Sequence, residues 1–108
     1  MTDNGIIEKA RLELGTIAAG MLDCSIDYLE GSMKLSKLRF DSDLEDDRDL
    51  LIFVAIDSET DDFPLGDVRK KWSHDALRRL EPEINKTVEW AKSISLGNCK
   101  SLAERFHV

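Results

Sequence analysis

Asp57 and Glu59 stand two residues apart at the end of an apolar run, Phe53-Val54-Ala55-Ile56, and Thr60 follows them. Two carboxylates at the mouth of an apolar element can hold divalent metal and, through it, the attacking and leaving oxygens of a hydrolytic displacement. A second acidic series, Asp41-x-Asp43-x-Glu45, has the alternate spacing of a calcium loop. Such a loop then needs glycine at its sixth position and glutamate at its twelfth, where this chain has Asp46 and Ile52. The series Asp57-x-Glu59-x-Asp61 fails in the same way, with Asp62 and Val68 at those places. Zinc ligands usually come in short pairs, whereas Cys24, His74, Cys99 and His107 are scattered. The chain has no Gly-x-Ser-x-Gly elbow and no glycine-rich phosphate loop. The expectation from these residues is a protein without catalytic residues, metal or cofactor.

One local motif implies otherwise. Phe53 to Thr60 resembles the first motif of the DEDD-type exonucleases, in which an apolar strand ends in Asp-x-Glu-Thr. That resemblance implies a metal-dependent hydrolase with Asp57 and Glu59 as ligands of two metal ions. It covers eight residues. The family also needs later aspartate motifs of the form His-x4-Asp or Tyr-x3-Asp. Here the position five after His74 is Arg79, and the only tyrosine, Tyr28, lies upstream.

The acids are more telling as a group. The net charge is -7, yet Asp41 to Asp62 alone holds ten acids against the single base Arg48, -9 in all, so the rest of the chain carries +2. Lys34, Lys37 and Arg39 precede this span and Arg69, Lys70 and Lys71 follow it. An acidic surface repels nucleic acid and draws in basic proteins. The residues expected to meet a partner are Asp43, Glu45, Asp46, Asp47, Asp57, Glu59, Asp61 and Asp62. If Asp57 and Glu59 fall at a helix end, both loops could form one acidic face. Trp72 and Trp90 have packing as their ordinary role. Trp72 is the better candidate for a binding anchor, because it lies at a loop-to-helix junction beside Arg69, Lys70 and Lys71. The bland alternative is a solvated acidic surface that only keeps the chain soluble.

The elements that must carry these residues read as helices. Ile6, Ile7, Ala10, Leu14, Ile17, Ala18 and Met21 form one apolar stripe at three- and four-residue spacing, with Asp3 or Asn4 as its cap. Ile26, Leu29, Met33 and Leu38 continue it as a second helix capped by Ser25, after a very short join. Asp41 to Asp49 reads as a solvated loop, with Asp46, Asp47 and Asp49 suited to the positive end of a following helix. Leu50 to Ile56 has the β-branched content of a strand. No second strand exists to pair with it, so 48–59 is read as a buried helix. Pro64 and Gly66 set a loop. Ser73 caps another helix, with Asp75 in its first turn and Trp72 placed to pack on Leu77. Its stripe is Leu77, Leu80, Ile84, Val88 and Ala91. Pro82 predicts a kink near Arg78 or a restart at Glu81. Gly97 is expected to end this helix and Asn98 to cap a last short one. The sum is an all-α single domain, residues 1–108, built as a bundle of four or five helices.

Apolar residues make up 42% of the chain and aromatics 6%, which predicts an aliphatic core. Cys24 and Cys99 are expected there as reduced thiols. The chain opens without a signal-peptide pattern, and its longest apolar run, Leu50 to Ile56, is far too short to span a bilayer. These features point to a cytoplasmic protein with no membrane or nucleic-acid partner.

The stretches Tyr28-Leu29-Glu30-Gly31 through Leu38-Arg39, Phe53 to Asp61, Pro64 to Arg69 and Trp72 look like a family of small uncharacterised bacterial acidic proteins. On size and charge alone, the chain also loosely resembles the immunity proteins that neutralise a toxin. That likeness implies a non-catalytic, immunity-type inhibitor whose acidic face meets a basic toxin domain, such as a nuclease. The alternative is a structural or regulatory interaction protein with another partner.

Overall fold

The computed structural model describes residues 4–106, apart from the side chains at 66 and 67. Four α-helices and one 3-10 turn follow in the order α1 (Asn4–Leu22), α2 (Tyr28–Asp41), α3 (Arg48–Glu59), the 3-10 turn Gly66–Lys71, and α4 (His74–Phe106). No strand occurs among the described residues. The chain is an all-α, single-domain bundle. None of the described helices is long and apolar enough to cross a membrane.

Helix α4 sets the shape. Its 33 residues span about 50 Å at 1.5 Å per residue, which matches the 48 Å long axis of the molecule. Helix α1 is its principal neighbour, with α3 next, while α2 packs on α3 and α1. Leu14, Met21, Leu29, Leu35, Leu50, Phe53, Ile56 and Leu102 form the centre of one aliphatic core. The stretch 48–59 is the buried helix expected of it: Leu50, Phe53 and Ile56 face inward at three-residue spacing. Tyr28 is the one polar aromatic in the core. Its hydroxyl lies 2.7 Å from Ser95 Oγ, and Ser95 donates in turn to the Ala91 carbonyl.

Several local expectations are corrected. Helix α4 continues through Pro82, with no restart at Glu81. The proline is exposed, as is Arg78, whose carbonyl loses its donor there. The helix also runs through Gly97, because Ala91, Ser95, Cys99 and Leu102 keep burying one face on either side of it. Packing outweighs the intrinsic cost of glycine. Asn98 consequently caps nothing and lies within α4, where its Nδ2 donates to Asp49 Oδ1 at 3.0 Å. The cap of α2 is Asp27, not Ser25: Asp27 Oδ1 accepts from the Glu30 N–H at 2.9 Å. Ser25 is held back in the turn, its N–H on Asp23 Oδ1 and its hydroxyl on the Gly20 carbonyl. Cys24, expected in the core, is exposed in that same turn, in the left-handed region with φ 67°. Ser73 does cap α4, accepting from the Ala76 N–H. Asp3 and His107 lie outside the described residues.

A Cβ added at Gly97 would meet nothing within 4 Å. Gly97→Ala is therefore expected to raise the unfolding free energy by about 0.5–1 kcal/mol. A denaturant titration in dilute solution reads it, and no gain in midpoint would mean the site is not open as described.

Candidate functional site

Helix α3 separates the acids into two groups. Its 12 residues place about 18 Å of helix between Asp43, Glu45, Asp46 and Asp47 at its start and Asp57, Glu59, Asp61 and Asp62 at its end. The two loops thus form separate acidic clusters.

The first cluster serves the fold in large part. Helix α2 ends with the Leu44 N–H on the Arg39 carbonyl and the Asp43 N–H on the Phe40 carbonyl. This pairing needs a left-handed residue at Asp43, whose φ is 57°, and aspartate tolerates that region better than most side chains. Asp47 caps α3 by accepting from the Asp49 N–H. Its two oxygens take Arg105 Nη1 and Nη2 at 3.0 and 2.7 Å. Asp49 accepts from Arg105 Nη1 at 2.8 Å, from Ser101 Oγ at 2.7 Å and from Asn98. Asp47 and Asp49 are therefore occupied from within the chain. The exposed carboxylates here are Asp41, Asp43, Glu45 and Asp46.

The Arg105 hydrogen bonds hold the Asp47 carboxyl below its ordinary value of 3.8 and push the Arg105 guanidinium up. A lowered carboxylate contributes stability above its unfolded value. That contribution drains as pH falls below about 4 toward the folded value. Arg105→Gln is expected to cost about 1–2 kcal/mol at neutral pH, since the charge-assisted bonds are partly exposed. It should also flatten the loss of stability on the acid side. Equal acid slopes for variant and parent in urea titrations would contradict this coupling.

The second cluster is not spent in this way. Asp57 and Glu59 occupy the last turn of α3, which has no basic residue. The negative end of the helix dipole disfavours carboxylates there by a few tenths to about 1 kcal/mol each. Asp57, Glu59, Asp61 and Asp62 make no ion pair among the described residues. Asp57, Asp61 and Asp62 rim a cleft of about 350 Å³ whose walls are mainly apolar: Met33, Phe63, Pro64, Leu65, Val68 and Trp72. Lys37 is the one base in its lining. Trp72 and Val68 are 39% and 53% exposed, so the cleft ends on apolar surface open to solvent. Arg69, Lys70 and Lys71 close the 3-10 turn beside it.

Glu59 belongs elsewhere. With Asp62, Phe63, Lys86 and Trp90 it lines a second, shallower groove against α4. Side chains two apart on a helix point about 200° from each other, which is why Asp57 and Glu59 face different grooves. The exonuclease-like spacing needs a strand, and on α3 the same spacing separates the two carboxylates. No group of three or more metal-ligating side chains occurs among the described residues. Burial pushes the Cys99 thiol up to about 11, and its Sγ donates to the Ala18 carbonyl at 3.3 Å, both of which favour the thiol over the thiolate.

Both tryptophans are partly exposed instead of filling the core, each at 39%. The apolar walls of the Trp72 cleft were not singled out from sequence. The signal available for them was Val68 and Trp72, four residues apart around three consecutive bases.

No family model, curated protein sequence or solved structure matches the chain.

Proposed function

We propose that this protein is a non-catalytic binding module that captures a basic protein partner at the Trp72 cleft, as an immunity-type inhibitor captures a toxin domain. One observation carries the reading. Unpaired carboxylates gather at the negative end of α3, over an apolar cleft that ends on a half-exposed tryptophan. Charges placed against the fold's own electrostatics contribute nothing to its stability, and they suit a positively charged ligand. The carboxylates steer and orient a basic surface, while the part-exposed Trp72 at the open end of the cleft offers an aromatic anchor that the partner would cover. A nuclease-type toxin, with a basic cleft for phosphate, fits this chemistry.

The test is capture of basic proteins from the host lysate at low salt, with identification by mass spectrometry and titration of the purified partner. The triple change Asp57→Asn, Asp61→Asn, Asp62→Asn and the single change Trp72→Ala should each weaken binding at least about tenfold. The corresponding change at Asp43, Glu45 and Asp46 should have a smaller effect. If the triple variant and Trp72→Ala both bind as the parent does, the cleft is not the contact.

A further inference from the structure

The outer face of α4 is exposed along the line of Lys86, Ser93, Gly97 and Glu104, flanked by Ser101 and Arg105, which bond to Asp47 and Asp49. Trp90 and Ile94 are each 39% exposed there, and Gly97 is open to solvent with no side chain near it. A mid-helix glycine that no neighbour in the chain requires is costly, but it suits the close approach of a second helix.

The charges on this face say which helix. Lys86 and Glu104 are eighteen residues apart, which is about five turns, so they share one line along α4. Ser93 and Gly97 straddle the midpoint of that line. Glu89 and Lys100 lie on the same side of it, nearly the same distance to either end. All four charged residues are exposed, and none makes an ion pair among the described residues. A two-fold axis through the midpoint turns the line end for end. It brings Lys86 of each chain to Glu104 of the other, and Glu89 to Lys100, with the small residues at the crossing. An isologous contact needs such self-complementarity, and a parallel arrangement would oppose like charges instead.

We propose that the protein self-associates through this face, as an antiparallel pair of α4 helices crossing at Ser93 and Gly97. The occupant is a second copy of this chain. The Trp72 cleft takes no lining residue from α4. The groove of Glu59 and Asp62 shares Lys86 and Trp90 with the contact and is partly covered by it.

Sedimentation equilibrium of the full chain, at rising concentration and low salt, reads the association. The expected mass moves from 12.2 kDa toward twice that value. Lys86→Glu alone and Glu104→Lys alone each oppose like charges twice, and each should associate at least tenfold more weakly. An equimolar mixture of these two variants restores both pairs and should associate as the parent does. Gly97→Gln, with unchanged helical circular dichroism, should also associate at least tenfold more weakly. A parent that stays at the mass of one chain overturns the proposal. So do single variants that associate as the parent, a mixture no better than its components, or a Gly97→Gln variant without effect.

Discussion

Replacing Phe53 with alanine is expected to lower the unfolding free energy by about 3–5 kcal/mol. Phe53 is fully buried and heads the largest enclosed side chains of the molecule. It sits at the middle of α3, between Leu50 and Ile56, which are also fully buried. The core around it is aliphatic and closely packed, so truncation leaves a cavity as well as losing the transfer energy of the ring. A domain of this size has about 5–15 kcal/mol in hand, and the variant would spend a large part of it. Urea titration of parent and variant measures the difference. A loss under about 1 kcal/mol would show that α3 does not centre the core.

Gly31→Val should cost about 2–3 kcal/mol by overfilling. A Cβ at position 31 would lie 2.5 Å from both Cγ and Sδ of Met21, and Met21 is itself buried at 2% exposure. The methionine cannot simply swing into solvent, so α1 and α2 must part or a rotamer must strain. The cause can be isolated by pairing the change with Met21→Ala. Met21→Ala alone leaves a cavity, while the double variant refills it with the valine. The double variant should therefore lose clearly less than the two single losses together. Strict additivity would mean that Gly31 is required for a reason other than Met21.

The helices themselves were legible because periodicity is a local property. The hardest case, 48–59, was decided by the lack of a second strand and not by the β-branched residues it contains. The misread points turn on contacts that the apolar pattern does not show, some distant in sequence and some only a few residues away. Gly97 carries a real local penalty, but the buried stripe from Ala91 to Leu102 continues on both sides of it and keeps the helix whole. Ser25 and Asp27 are both sound capping residues. The choice falls to Asp27 because Ser25 is tied back to Asp23 and Gly20. Asp47 reads in sequence as one more acid in an acidic loop. Its ion pair with Arg105, 58 residues on, has no local signature. At the candidate site the acids were visible in the sequence, as was Trp72. Their division by α3 into an occupied cluster and an unpaired one was not, since it depends on which charges the fold has already matched.

The pairing of the first helix with the last has a consequence for how the chain is made. Helix α1 finds its principal neighbour only in α4, and the cap of α3 is completed by Arg105 in the final turn of α4. During synthesis from the N-terminus, α1 therefore meets α2 first, and the part of its apolar stripe that α4 covers stays open until α4 follows. Contacts this distant in sequence slow folding, and exposed apolar surface invites wrong partners in the interval. A ribosome stalled anywhere before the last turns of α4 would hold a helical but unclosed chain. Removal of the last turns of α4 should thus be felt in α1, as loss of its order.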